Sequence, residues 1–215
     1  MCYNYIKGIV TSLENDYIHL LPGGGHPKNR RSTEMSKSIL ITGGAASGKT
    51  RYAVTGFAAF DYVLYLRMGK EIDADILNRI EFDNHKNGVE WEVISSRSTT
   101  PADEVKDHKF VIFDSVSSYT RMIMQEMFPD RQAPDDAAKK NIEKRIIEDI
   151  SAVRDRVYRN RGSLQIVTLE TGFSVAPVDD YLAAYREIVG RVNQRIANSS
   201  DEVYFSASGI QFKIK

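Results

Sequence analysis

The stretch Ser38-Ile39-Leu40-Ile41-Thr42-Gly43-Gly44-Ala45-Ala46-Ser47-Gly48-Lys49-Thr50 decides how this chain folds. Its first half is a short apolar run, the pattern of a strand buried on both faces of a parallel sheet. Its second half, Gly43 to Thr50, fits G-x-x-x-x-G-K-S/T, and a helical pattern follows over Lys49–Phe57. A strand, a glycine-rich turn and a helix in that order make a phosphate-binding loop. Gly43, Gly44, Ala45, Ala46, Ser47 and Gly48 let backbone N–H groups turn inward around phosphate oxygens, and the helix N-terminus adds its positive end. Lys49 then reaches the outer phosphates, and the Thr50 hydroxyl is placed to hold Mg²⁺.

Outward from this loop, apolar runs alternate with amphipathic helical patterns. Val63-Leu64-Tyr65-Leu66, Phe110-Val111-Ile112-Phe113 and Ile166-Val167 with Leu169 read as further buried strands. Helical patterns lie at Asp73–Asn84, Ser118–Met127, Ala137–Asn160 and Asp179–Ala197. In the last, Leu182, Tyr185, Val189, Val192 and Ile196 recur at steps of three and four, a stripe for packing on a sheet. The end of the chain, Val203–Ala207, the Ser208-Gly209 turn, and Ile210, Phe212 and Ile214 alternating with polar residues, predicts an antiparallel edge hairpin. The fold class is therefore α/β, a P-loop NTPase-type, mostly parallel sheet covered by helices. Asp114 closes the second of these runs, where a strand-end carboxylate meets Mg²⁺ directly or through water.

Composition narrows the partners. The 215 residues carry 29 Lys plus Arg against 29 Asp plus Glu, so no basic excess points to nucleic acid or an anionic membrane, and phosphate binding must be local. One cysteine excludes a disulfide framework and a cysteine-rich zinc site, and fits a cytoplasmic protein. No apolar run reaches the roughly 18 residues of a membrane span. Residues 1–34 end in Pro22-Gly23-Gly24-Gly25-His26-Pro27 and a polar stretch, and read either as a flexible extension or as sequence ahead of a true start at Met35. The second reading is preferred here, because Arg30-Arg31 encoded AGG-AGG would form a ribosome-binding run just before Met35. Residues 35–215 make one P-loop nucleotide-binding domain.

Several blocks together resemble the adenosylcobinamide kinase/adenosylcobinamide-phosphate guanylyltransferase family. They are Thr42 to Thr50, Asp73-Ala74-Asp75-Ile76, Arg79-Ile80 ahead of His85 and Trp91, Glu170 with Gly172, Val175 and Pro177, and Gly190-Arg191-Val192-Asn193-Gln194. The tail from Asp201 to Lys215 resembles it as well. The resemblance implies a kinase step on the aminopropanol hydroxyl of a corrinoid, with GTP or ATP as the nucleotide. It also implies transfer of GMP from GTP through a histidine, and a homo-oligomer. Lys49, with Mg²⁺ held by Thr50 and Asp114, would serve the first step, and Glu170 would act on the substrate hydroxyl or on the cation. An imidazole with an ordinary pKa of about 6.5 is largely neutral and nucleophilic at pH 7, as the second step needs.

Three departures from the family pattern fall in functional stretches. Where the family writes R-I-x-x-H-x-x-x-R-P-x-x-W, this chain has Arg79-Ile80-Glu81-Phe82-Asp83-Asn84-His85 and then Trp91 at equal total length. Aligned without gaps, the nucleophile position falls on Asp83, and two residues along a helix turn a side chain by about 200°. Placing His85 on the nucleophile needs the helix to end or distort before it, as Asn84, Asn87 and Gly88 would permit. Ala46 replaces the arginine usual in the phosphate loop, and Leu169 replaces the asparagine before Glu170. His108, in Asp107-His108-Lys109, reads as a solvated loop residue. Two other functions fit the same residues: a kinase on another alcohol, and a nucleotide-binding protein without transfer chemistry.

Overall fold

The structure, a computed structural model, describes residues 36–215, so both readings of residues 1–34 lie outside it. Seven strands and six helices follow one another: β1 Lys37–Gly43, α1 Lys49–Phe57, β2 Val63–Met68, α2 Ala74–Asn87, β3 Trp91–Ser96 and α3 Pro101–Glu104. Then come β4 Phe110–Asp114, α4 Val116–Met127, α5 Asp136–Arg159, β5 Ser163–Val167, α6 Asp180–Ser199, β6 Glu202–Ala207 and β7 Ile210–Lys213. The strands form one sheet in the order β3-β2-β4-β5-β1-β6-β7, parallel except for the β6–β7 pair. This is the covered parallel sheet with an antiparallel edge hairpin that the sequence implies.

Neighbouring residues of a strand face opposite sides of a sheet, and here both sides are apolar. Leu40, Leu64, Leu66, Val111, Phe113, Leu164 and Ile166 join the core made with α4, α5 and α6. Their immediate neighbours Ile41, Val63, Tyr65, Ile112 and Val167 pack instead with Ala53, Val54 and Phe57 of α1 and Ile76 and Ile80 of α2. Side-chain caps fix where three of the helices begin: Ser115 Oγ accepts from Ser118 N, Asp135 Oδ1 from Ala138 N, and Asp179 Oδ1 from Leu182 N. A satisfied N–H at a helix start contributes about 1 kcal/mol.

The edge strand β3 escapes a reading by apolar runs. Only its end residues Trp91 and Ser96 are buried, and it carries Glu92, Ser95 and Ser96, whereas the strands inside the sheet are mainly apolar and largely buried. Leu169 lies beyond β5, which ends at Val167. Because six strands run in parallel, their carboxyl ends share one edge of the sheet. The connections after β1, β2, β4, β5 and β6 meet there, the place where open parallel sheets hold ligands.

Candidate phosphate-binding and transfer site

The loop after β1 is held by its neighbours on both sides. Gly43 adopts φ 146°, and a Cβ there would stand 2.2 Å from the Ser206 carbonyl oxygen of β6, so only glycine fits. Its own carbonyl accepts from Glu170 N at 2.9 Å. Gly48 precedes α1 at φ 93°, and beside it Gly209 N donates to Ser47 O at 3.1 Å. The β6–β7 turn thus buttresses the phosphate loop. Lys49 Nζ folds back over the loop, donating to Gly44 O and to Ser47 Oγ. Burial pulls its pKa below the ordinary lysine value, partly opposed by the Asp114 charge.

Asp114 ends β4 and is almost wholly buried. Its Oδ2 accepts from Thr50 Oγ1 at 3.0 Å and from Tyr65 OH at 2.6 Å, and its Oδ1 from Arg67 Nη1 at 2.6 Å. Burial and the adjacent carboxylate raise the Tyr65 pKa, keeping the phenol protonated as a donor. The Thr50 hydroxyl and the Asp114 carboxylate are hard oxygen donors side by side. A Mg²⁺ that takes its remaining ligands from phosphate and water needs no more from the protein, so this donor set fits it.

Tyr65 and Arg67 escape sequence reasoning. Their role depends on β2 lying beside β4 with Arg67 opposite Asp114. The available signal was an arginine inside the run Val63-Leu64-Tyr65-Leu66-Arg67-Met68, all six residues of which are buried.

Glu170 is tied to the loop through its backbone and, at 3.4 Å, through an Oε2 that accepts from Thr42 Oγ1. It also lines an open cleft of ≈ 420 Å³, together with Gly172, Pro177, Arg186, Arg191 and Gln194. Within the block Gly190 to Gln194 of α6, the side chains divide by face. Asn193 is buried, accepting from Thr168 Oγ1 at 2.8 Å and donating to Leu169 O at 3.0 Å, and so fixes the segment leading to Glu170. Arg191 and Gln194 face the cleft. Since residue 169 contributes its carbonyl here, leucine in place of asparagine leaves this anchor intact.

The two histidines differ from expectation. α2 does not end before His85: it continues to Asn87, and Gly88, in the left-handed region at φ 65°, caps it. Asn87 Nδ2 donates to Asp83 O and to Ala58 O, closing the last turn on the body of the protein. On this continuous helix Asp83 is buried, with Arg79 Nε 2.7 Å from its Oδ2, and His85 is exposed. His108 is no solvated loop residue. It is fully buried, with Nδ1 3.0 Å from Tyr62 O, Nε2 2.6 Å from Glu92 Oε2 and the Tyr62 ring stacked on it at 4.1 Å. The short polar stretch around it is a tight corner that packs the imidazole against Tyr62, just ahead of β2, and Glu92 of β3.

A phosphate loop on a mostly parallel sheet, with a hydroxyl and a strand-end carboxylate beside it, defines a P-loop nucleotide-binding protein. The chain belongs to the cobinamide kinase / cobinamide phosphate guanyltransferase family, whose model matches residues 39–214. The bifunctional adenosylcobalamin biosynthesis protein CobU of Escherichia coli (strain K12) is 27% identical over 180 residues, covering 82% of this chain and 99% of that protein. Its counterpart of the same name from Salmonella typhimurium (strain LT2) is 31% identical over 188 residues, with the same coverage. Among solved structures, a unique ATP synthase subunit NeqB from Nanoarcheaum equitans superposes with a TM-score of 0.44 and 11% identity, over 80% of this chain and 45% of that one. The family and kinase class expected from the sequence are thereby borne out, and among the described residues no helix is long and apolar enough to cross a membrane.

Proposed function

We propose that this chain is a nucleotide-dependent transferase of cobalamin biosynthesis that phosphorylates the hydroxyl of adenosylcobinamide and then transfers GMP from GTP to the product. The observation that carries the first step is the 3.0 Å contact between Thr50 Oγ1 and Asp114 Oδ2, beside a loop over which Lys49 is already folded. In this reading Gly43 to Gly48 cradle the triphosphate with backbone N–H groups, and Lys49 leaves Gly44 O for the outer phosphates. The substrate oxygen attacks the γ-phosphorus, the bond to the β,γ-bridging oxygen breaks, and the nucleoside diphosphate leaves with that electron pair. Glu170, between the loop and the cleft, takes the hydroxyl proton. Bound at Thr50 and Asp114, Mg²⁺ would neutralise the charge of the β- and γ-phosphates.

The second step rests on His85. Among the described residues it is the histidine whose ring nitrogens are free of protein partners, since both nitrogens of His108 are engaged. Its Nε2 or Nδ1 would attack the α-phosphorus of GTP, releasing pyrophosphate and leaving a phosphoramidate. A phosphate oxygen of the phosphorylated corrinoid then attacks that phosphorus, the P–N bond breaks, and the imidazole leaves as GMP passes to the product. Because α2 is continuous and leaves His85 in solvent, its last turn must leave helical geometry to bring the imidazole inward. A kinase lacking the second step is the alternative, favoured by the unbroken helix on which Asp83 is buried against Arg79 and His85 stays in solvent.

Incubation with GTP labelled at the α-phosphate separates the two. Acid-labile, alkali-stable label on the protein, lost in His85→Ala, supports both steps. Release of GDP only when cobinamide is added, without label, leaves the kinase alone. Absence of both signals, with ATP as with GTP, would overturn the reading.

A further inference from the structure

Arg67 lies on a buried strand and is itself 6% exposed. Its Nη1 donates to Asp114 Oδ1 at 2.6 Å, and its Nη2 stands 3.6 Å from Asp73 Oδ2 at the start of α2. Its Nε, also out of solvent, has no hydrogen-bond partner. Burying a guanidinium with an unmatched N–H is unfavourable, so fold stability alone gives a poor account of it. Asp114, for its part, receives Thr50 and Tyr65 on one oxygen and Arg67 on the other. The carboxylate suited to a divalent cation is therefore already neutralised by a cation belonging to the protein.

We propose that Arg67 is a positioning residue that makes divalent-cation binding at Thr50 and Asp114 conditional on nucleotide. This rests on the reading of those two residues as the cation site. Arg67 fixes the direction in which Asp114 points, and its charge opposes any cation approaching the same carboxylate from solvent. The phosphates of a nucleotide bring the negative charge that reverses this balance, so the cation enters with the nucleotide rather than before it.

The test uses Mn²⁺ as the probe and the full chain without nucleotide, with bound cation read from the loss of the free-ion paramagnetic resonance signal. Arg67→Met should bind Mn²⁺ about tenfold or more tightly than the wild type, since it removes a unit charge within a few ångströms of the site. Arg67→Lys restores a cation and should stay near the wild-type value. Asp114→Asn added to Arg67→Met should abolish the gain. Thermal unfolding checks each variant, and Arg67→Gln, which keeps an amide donor but no charge, replaces Arg67→Met if the latter does not fold. Wild-type affinity in a folded neutral variant, an equal gain in Arg67→Lys, or a gain that survives Asp114→Asn would overturn the proposal. Asp114→Asn alone, titrated with a non-hydrolysable GTP analogue, separates the two levels. A lowered Mn²⁺ affinity there with no effect of Arg67→Met refutes the role of Arg67 only, whereas an unchanged one refutes the cation site itself.

Discussion

Asp83 and His85, two residues apart on α2, stand in opposite environments: Asp83 is buried against Arg79 at 2.7 Å, and His85 is in solvent. The arrangement follows from the helical period, because nothing interrupts α2 before Gly88. It makes the carboxylate, rather than the imidazole, part of the protein's interior on this helix.

The Arg79–Asp83 pair should be measurable as a coupling. Asp83 is buried while Arg79 is one-third exposed, so solvent screens part of the attraction and the interaction should be worth about 1–2 kcal/mol. A double-mutant cycle of Asp83→Asn and Arg79→Met in urea unfolding measures it. Asp83→Asn alone should destabilise, and the double variant should lose less than the sum of the two. Additive losses would show that the pair contributes nothing.

How much of this site was legible depended on how local its causes are. Gly43 to Thr50 could be read because the loop, the lysine and the hydroxyl are consecutive, and Asp114 because a carboxylate ending an apolar run needs no partner to be noticed. Arg67 and Tyr65 join Asp114 only through the pairing of β2 with β4, a contact between strands more than forty residues apart. β3 was hidden for a related reason, since an edge strand paired along one side only mixes polar and apolar residues. For His85 the sequence left two alignments that differ by half a helical turn, and the left-handed cap at Gly88 decided how far the helix runs.

The glycines of the phosphate loop should not be equivalent. A methyl group on Gly43 meets the Ser206 carbonyl at 2.2 Å, in a backbone conformation that L residues disfavour, whereas one on Gly44 meets nothing within 4 Å. Gly43→Ala should therefore cost about 2 kcal/mol or more and displace β6 from β1. Gly44→Ala should melt within a few degrees of the wild type. Circular dichroism melts compare them directly, and equal losses would mean that the β1–β6 contact is not rigid.

Acid stability should depend on Asp201. Its Oδ2 accepts from Ser38 N at 2.7 Å, from Ser38 Oγ at 3.0 Å and from Tyr158 OH at 2.8 Å, and these bonds, the backbone one foremost, hold its pKa below the ordinary value of 3.8. A carboxylate with a depressed folded pKa stabilises above its unfolded pKa, and that contribution disappears as pH falls through the folded value. Asp201→Asn should thus lower the Tm at pH 6, and the two should converge only as the pH falls well below the ordinary value of 3.8, through the depressed folded pKa. Parallel Tm curves across that range would remove the carboxylate from the account.

Lys49 gives the most direct test of the loop. Its ammonium is held by Gly44 O and Ser47 Oγ, and burial disfavours its charged form while Asp114 supports it. A triphosphate entering the loop adds negative charge beside that ammonium, so nucleotide binding should favour the protonated lysine and couple to proton uptake where the free residue is partly neutral. Nucleotide affinity should then fall at alkaline pH in the wild type as Lys49 deprotonates. In Lys49→Ala, kinase turnover should drop by about a hundredfold or more, the scale of removing one charge-stabilising donor from a transfer site. The fold should persist, because the side chain reaches only the loop's own atoms and none of the core. Isothermal titration with GTP at several pH values reads the affinity, and GDP release in the presence of cobinamide reads the turnover. Undiminished affinity in Lys49→Ala, or an alkaline decline unaltered by the substitution, would show that the lysine does not hold the phosphates.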